Sequence, residues 1–496
     1  MTNRNVIQVP GTSRTFHRYK ILVVLLVPVS MSLIAISSIN VALSSIGVGL
    51  GASSSDLQWV LSGYALAFGV CLVPAGRLGD VAGRSTLHVI GLTLFTLASL
   101  ACGLATNPVM LNLARLAQGI GAGLFNPQTL GMIQQYFSGQ GRARAFSLFG
   151  MVVSASVAIG PVFSGAIIKL LGPTTGWRWS FLAIVPMGVV GIVLALLWLP
   201  FETERARRLA QRNPDVDAPP RKRLDLDPVG AVLLTLVILG IMLPFTVKSV
   251  PVVWLLLPAA LVLLWLWIRW ENRYKHRGGE PMVDLALFRY SSFTMGTLTS
   301  TFQFLGSTSI FVTVAMFLQN GLHTSAFAAG LIGLPNAIAS AGTSLWSGRH
   351  ALRIGRPIVI GALSLIVASL LASMGVVWAV EHLGISFWWL AIPLAGVGLG
   401  LGAIGSANQT LTMQDVPVHA GGTAGGVKSA SERTATAIGN AMITAVYFGV
   451  SAAMSPIAGF MAANAMISVI LTVAALVAMR DRQLNGNGMS RPRTTS

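Results

Sequence analysis

The chain has 496 residues, of which 54% are apolar and 10% charged, with 33 Lys and Arg against 15 Asp and Glu and a formal charge of +18. Soluble domains carry roughly 25% charged residues, so a typical soluble enzyme is excluded, and the charge is too sparse to coat a nucleic-acid-binding face. The 53 glycines and 18 methionines suit membrane helices, while Cys71 and Cys102 sit in apolar runs and exclude a disulfide framework.

Residues 1–20 are basic and the next thirty apolar. A cleaved signal peptide has an apolar core of only about 7–15 residues, so this stretch reads as a retained first span. A transmembrane helix needs about 20 mostly apolar residues. Such windows lie near 21–46, 56–75, 87–105, 109–132, 145–171 and 179–200, then 229–247 and 251–268. Six more follow near 293–318, 327–346, 358–379, 387–413, 425–450 and 456–479. The count is fourteen, or twelve if the pair at 229–268 does not cross. In lipid the backbone must satisfy its own hydrogen bonds, so the fold class is an all-α integral membrane protein.

The basic residues set the orientation. The segments 1–20, 76–86, 133–144, 201–228, 269–292, 347–357 and 480–496 hold 27 of the 33 Lys and Arg. The opposite loops hold Lys169, Arg178 and Lys248. By the positive-inside rule both termini face the cytoplasm, which requires an even number of spans. The organisation read from this is a six-helix bundle over 1–200, a linker over 201–228 and two inserted helices over 229–268. A second linker over 269–292, a six-helix bundle over 293–479 and a tail over 480–496 complete it.

A duplication is visible. Gly76-Arg77 recurs seven residues later as Gly83-Arg84, and Gly348-Arg349 recurs seven residues later as Gly355-Arg356. Asn126-Pro127-Gln128-Thr129-Leu130 ends the fourth window, and Asn408-Gln409-Thr410-Leu411 lies late in the twelfth. Two related halves around a midplane cavity are typical of secondary transporters.

Several residues carry chemistry at these places. Asp80, between two glycine turns, can accept from helix N-terminal amides and pair with Arg84. Arg115 is the clearest buried base, and an intramembrane Arg needs a partner or water. Arg115, Gln118, Ala122 and Asn126 are spaced by three or four and share one helix face. Gly160-Pro161 removes a backbone bond and bends its helix. Twelve of the 15 acids fall in or beside the basic segments, Glu271, Asp225 and Asp227 among them, and Asp56 and Glu381 lie at outer ends. Glu432 is left inside a span, with Lys428 one turn earlier and Arg433 adjacent. Burial raises a carboxyl pKa and nearby cations lower it, so Glu432 can load and release a proton; a structural pair with Lys428 is the plainer alternative. Gly400-Leu401-Gly402-Ala403-Ile404-Gly405 fits a dinucleotide pattern but has no preceding strand. No Walker A lysine and no metal spacing among the seven histidines are present, so no cofactor or metal is expected.

Gly76-Arg77-Leu78-Gly79-Asp80-Val81-Ala82-Gly83-Arg84 resembles the loop signature of the major facilitator superfamily. Arg115-Leu116-Ala117-Gln118-Gly119-Ile120-Gly121-Ala122 resembles its fourth-helix signature. Gly160-Pro161 followed by Ser164-Gly165 is similar to its antiporter signature, and Trp177-Arg178-Trp179-Ser180-Phe181 to the sixth helix of the fourteen-span drug:proton antiporters. Ser156 and Ser164 stand where that antiporter signature has glycine, and Val81 and Ser85 where the loop has a basic residue. Ala35, five residues before Asn40 in Asn40-Val41-Ala42-Leu43, stands where that branch carries an aspartate. The resemblance implies two six-helix halves plus two central helices, rocking about a central site, with a latch at Gly76, Asp80, Gly83 and Arg84. It implies a bend at Gly160, Pro161 and Gly165, and a substrate cavity at Asn40, Tyr64, Gln118, Asn126 and Arg433. Proton coupling falls to Glu432 and Arg115. The expected function is export of a small hydrophobic or amphiphilic substrate across the cytoplasmic membrane in exchange for protons. The partners are then substrate, protons and membrane lipids, without nucleic acid, and the protein is a monomer. A lipid or metabolite facilitator or importer of the same fold is the alternative, and a non-transporting sensor the more distant one.

Overall fold

The computed structural model describes residues 6–8, 15–201, 225–247, 251–324 and 326–486. Most of the expected linker (202–224), Lys248 and the tail from 487 onwards lie outside the described residues. Near the start, β1 (Val6–Gln8) pairs antiparallel with β2 (Thr15–His17), with Ile7 opposite Phe16. Helices follow. The first seven are α1 (Arg18–Leu50), α2 (Ser54–Ala82), α3 (Arg84–Gly103), α4 (Pro108–Tyr136), α5 (Gly139–Leu171), α6 (Gly176–Leu182) and α7 (Ile184–Trp198). The inserted pair is α8 (Pro228–Thr246) and α9 (Leu256–His276). Then come α10 (Ser291–Ser307), α11 (Ile310–Met316), α12 (Ala326–Leu331), α13 (Leu334–Ile354) and α14 (Arg356–Leu383). The last are α15 (Ala391–Thr412), α16 (Gly421–Ala453) and α17 (Pro456–Asn485).

Twelve helical stretches are long and apolar enough to cross a membrane, and the inserted pair is among them. Two further helices, α4 and α13, have 29 and 21 residues but are less apolar. Their polar side chains are largely buried inside the protein, as Arg115, Gln118 and Gln128 are on α4 and Asn336, Ser340 and Ser344 on α13. The sixth window is broken at Ala183 between α6 and α7. The eighth runs further than its apolar stretch, because α9 continues to His276.

Local sequence accounts for the ends. Ser53 and Asp56 form a reciprocal capping box at the start of α2, with Asp56 N–H donating to Ser53 Oγ at 3.2 Å and Ser53 N–H to Asp56 Oδ2 at 3.0 Å. Asn107 caps α4 by accepting from Met110 N–H at 2.8 Å, with Pro108 in the first turn, where a missing N–H costs nothing.

The chain forms two compact units. Unit 1 holds Met1–Phe137, Phe163–Leu287 and Pro417–Ala430. Unit 2 holds Ser138–Val162, Phe288–Val416 and Ser431–Ser496. Neither is a continuous half: α5 is divided between Val162 and Phe163, one residue after Gly160-Pro161, and the first ten residues of α16 count with unit 1. In unit 1, α4 packs closely on α2 and α3. A Cβ at Gly119 would lie 2.5 Å from the Tyr64 carbonyl oxygen, and one at Gly121 2.6 Å from Phe95 N. Small residues let membrane helices approach to backbone contact. In unit 2, α13 and α15 repeat the arrangement: a Cβ at Gly398 or Gly402 would run into the carbonyls of Asn336 and Ser340. Apolar side chains such as Ile366, Val397, Phe460 and Leu471 fill the core there.

Candidate functional site

A buried polar constellation in unit 1 is centred on Arg115 of α4. Its side chain is 1% exposed, so it points into the protein and not out to the headgroups. Arg115 Nε donates to the Val60 carbonyl of α2 at 2.9 Å, and a terminal nitrogen donates to Gln118 Oε1 at 2.6 Å. Gln118 Nε2 in turn donates to Ser99 Oγ of α3 at 2.7 Å, and Ser99 Oγ to the Phe95 carbonyl at 2.7 Å. The guanidinium lies 4.4 Å from the centre of the buried Tyr64 ring, a cation–π arrangement that gains strength away from water. Among the described residues no carboxylate lies within ion-pair distance of Arg115. The charge is therefore held by neutral dipoles and a π face, and it remains electrostatically uncompensated. Such a group attracts an anion or favours the ionised form of an acid near it.

A second constellation lies at the end of α2. Arg84 donates to Asp80 Oδ1 from Nε at 2.9 Å and from a terminal nitrogen at 2.6 Å. Further bonds reach the Gly131 carbonyl at 2.9 Å, Gln135 Oε1 at 2.9 Å and the Val418 carbonyl at 2.7 Å. Asp80 meanwhile accepts from Gly422 N–H at 3.0 Å, Thr423 N–H at 2.7 Å and Thr423 Oγ1 at 2.8 Å. Those amides are the unsatisfied donors of the α16 N-terminus, where negative charge is favoured by the helix dipole. The glycines make this possible. A Cβ at Gly76 would run into the Gly422 carbonyl, and Gly83 turns the chain at φ +123°. Gly83 thereby sets Arg84 at the start of α3.

Other residues singled out by sequence are placed elsewhere. Asn40 is exposed on α1 and Asn126 half-buried on α4, and neither bonds into the Arg115 network. Ala35 is 2% exposed. Glu432 and Arg433 are half-buried on the part of α16 that belongs to unit 2. Pro161 is inside α5, and Gly165 lies past it with Val41 as its nearest neighbour. Two acids assigned by sequence to polar segments are in fact deeply buried: Asp227 is 0% and Glu271 1% exposed. Glu271 stands between Trp270 and Asn272 on a helix that the apolar window ended at 268; the tryptophans at 265, 267 and 270 were the available sign that the helix continues. Among the described residues no group of three or more His, Cys, Asp or Glu is arranged to hold a metal ion.

The chain matches the family model of the Major Facilitator Superfamily over residues 25–440. It is 32% identical over 407 residues to a probable actinorhodin transporter of Streptomyces coelicolor, covering 81% of this chain and 67% of that protein. It is 30% identical over 395 residues to the multidrug resistance protein Stp of Mycobacterium tuberculosis, covering 79% of this chain and 68% of that protein. The chain thus spans about two thirds of the length of these relatives. Its fold is similar to that of the proton:xylose symporter XylE, with a TM-score of 0.63 at 14% identity, covering 93% of this chain and 95% of that one. The chain belongs to the major facilitator superfamily, a family of multi-pass membrane transporters and not of enzymes.

Proposed function

We propose that this chain is a proton-coupled exporter of small hydrophobic or amphiphilic molecules, a monomeric fourteen-span antiporter of the cytoplasmic membrane with both termini inside. Export agrees with the names of its relatives, a transporter of one natural product and a multidrug resistance protein. The count of fourteen adds α4 and α13 to the twelve apolar stretches, their polarity being that of interior spans. The bias of 27 basic residues to one set of loops supports the orientation.

The observation that carries the reading is the buried, acid-free Arg115. Burying a cation is costly, and the protein maintains this one with a carbonyl, an amide and a tyrosine ring. A structural role alone is served as well by an apolar side chain. In this reading Arg115 keeps the surrounding site positive, and Glu432 carries the proton. With Ala35 where the related antiporters have an acid, the site prefers neutral or anionic amphiphiles to dications. Asp80 and Arg84 act as a latch on the start of α16. The Gly160-Pro161 step lets α5 flex.

Proteoliposomes with an imposed pH gradient test this. Glu432→Gln is expected to abolish gradient-driven efflux while leaving substrate counterflow intact. Arg115→Lys is expected to lower efflux at least about tenfold, because a lysine loses the planar stack and forked bonding. Undiminished gradient-driven efflux by Glu432→Gln removes that residue from the coupling. Tight binding of a dicationic dye overturns the substrate preference.

A further inference from the structure

The inserted helix pair carries a buried polar site that the proposed transport mechanism does not use. Asp227 precedes α8 and Glu271 lies near the end of α9. Both are at least 99% buried. Asp227 Oδ1 is satisfied, accepting from Gly230 N–H at 2.9 Å and Trp270 Nε1 at 2.8 Å. Among the described residues, Asp227 Oδ2 and both Glu271 oxygens have no hydrogen-bond partner. Asp227 Oδ2 and Glu271 Oε1 both lie beside Gly230. A Cβ at Gly230 would touch Asp227 Oδ2 and lie 2.8 Å from Glu271 Oε1. The buried Trp267 indole N–H also lacks a partner and faces Glu271, as do the backbone amides of Met282 and Val283, without reaching hydrogen-bond geometry.

Two ionised carboxylates side by side in a buried site are strongly disfavoured, because burial penalises each charge and each raises the energy of the other. A cation between them would need a shell of oxygen ligands. The groups that surround the pair are donors: the Gly230, Met282 and Val283 amides and the Trp267 and Trp270 indoles. Only a proton both removes a charge and supplies the missing hydrogen bond. We propose that Asp227 and Glu271 share one proton, forming a carboxyl–carboxylate pair that is a second protonation site of this transporter, separate from Glu432.

The charged groups around the pair are already engaged. On α2, Arg77 donates to Glu280 at 2.7 Å and to the Asp225 carbonyl at 3.3 Å. Asp225, two residues before Asp227, accepts from the Tyr274 hydroxyl of α9 at 2.6 Å and from Glu280 N–H at 2.8 Å. Neither Arg77 nor Tyr274 is therefore placed to neutralise Glu271. Asp227 adopts φ +40°, in the left-handed region, and its capping bond to Gly230 ties the start of α8 to this geometry. The titration belongs to the pair and not to either residue.

Infrared difference spectroscopy on the full-length protein in liposomes, titrated in pH, reads the protonated carboxyl stretch directly. A protonated carboxyl band is expected to persist at neutral pH in the unmodified protein and in Glu432→Gln. Glu271→Gln is expected to remove it, and Asp227→Asn to move its midpoint to lower pH by removing the like charge. As a measure independent of the band, thermal stability of the unmodified protein should fall as pH rises through the same midpoint. The folded state then releases a proton that it binds more tightly than the unfolded chain, and Glu271→Gln should flatten that slope. Absence of the band at neutral pH, its survival in Glu271→Gln, its loss in Glu432→Gln, or a midpoint that moves with sodium concentration would overturn the shared proton.

Discussion

The two copies of the glycine–arginine device are built alike and wired differently. In both, a glycine in the left-handed region, Gly83 or Gly355, ends one helix and starts the next, and the arginine after it is buried. In the first copy the acid is local. Asp80 sits four residues before Arg84, and its oxygens also accept from the amides of Gly422, at Oδ1, and Thr423, at Oδ2. In the second copy the position four residues before Arg356 is Leu352, and the acid is Asp481 of α17, 2.7 Å away. In both copies the buried arginine of this corner is held by a carboxylate, and removing one partner of such a pair is costly. What the duplication leaves open is where the carboxylate comes from. A local acid keeps its remaining acceptor capacity for a helix that arrives from elsewhere in the chain. A distant acid spends that capacity on fastening α14 to α17 within unit 2.

The sharpest way to break this comparison is at the distant acid. Asp481→Asn leaves Arg356 with the Gly486 carbonyl at 3.3 Å among its acceptors. It should cost about 3–5 kcal/mol, the usual effect of removing one partner of a buried pair, read as a fall in unfolding free energy in detergent. If the local arrangement is sufficient, Leu352→Asp in the same chain restores part of that loss by placing an acid as in the first copy. No recovery would mean that the corner geometry, and not only the acid, differs between the copies. Asp80→Asn should cost less, about 1.5–3 kcal/mol for a charged hydrogen-bond partner. Arg84 retains the Gly131, Gln135 and Val418 oxygens. Its larger effect is expected on transport, because the α16 amides lose their anionic cap. A variant as stable and as active as the parent would remove Asp80 from both roles.

How far the sequence foretold this follows the same division. The first-copy pair was legible because its partners are only four residues apart in the chain and the flanking glycines announce the turn between them. The second was not, because Asp481 is 125 positions from Arg356 and nothing local points to it. Apolar runs located the helices well where lipid-facing side chains dominate, as in α14. They served less well for α9, whose last turns carry Arg269, Arg273 and Lys275 and read as a linker. That misreading also hid Glu271. Arg115 was visible as an Arg within a span, but its stack on Tyr64 and its bond to Val60 depend on α2 packing against α4, which no spacing within α4 reveals. Asn40 and Asn126 share helix faces with plausible cavity positions, yet the sequence could not tell an exposed or half-buried amide from one inside the Arg115 network.

The smallest effect is expected at the outer arginines of the two copies, and it is informative through its pH dependence. Arg77 pairs with Glu280 at 2.7 Å, with side-chain exposures of 16% and 33%, whereas Arg349 is exposed. Arg77→Ala should therefore cost no more than about 1 kcal/mol, and Arg349→Ala less. The copies should separate under acid. Burial pushes the Asp225 carboxyl up, but bonds from Tyr274, Glu280 N–H and Asp227 N–H, together with the Arg77 charge, outweigh it and hold it below its ordinary value of 3.8. The unfolded chain then binds the proton more readily than the folded one, so this stabilisation is complete above the ordinary value and is lost as pH falls through the depressed one. Removing Arg77 weakens the depression, so the acid loss should begin at higher pH in Arg77→Ala and stay unchanged in Arg349→Ala. Melting curves of both variants at a series of acidic pH values measure the difference. Superimposable acid limbs would show that the Tyr274 and Glu280 bonds alone fix Asp225, leaving Arg77 no electrostatic part in holding the inserted helices.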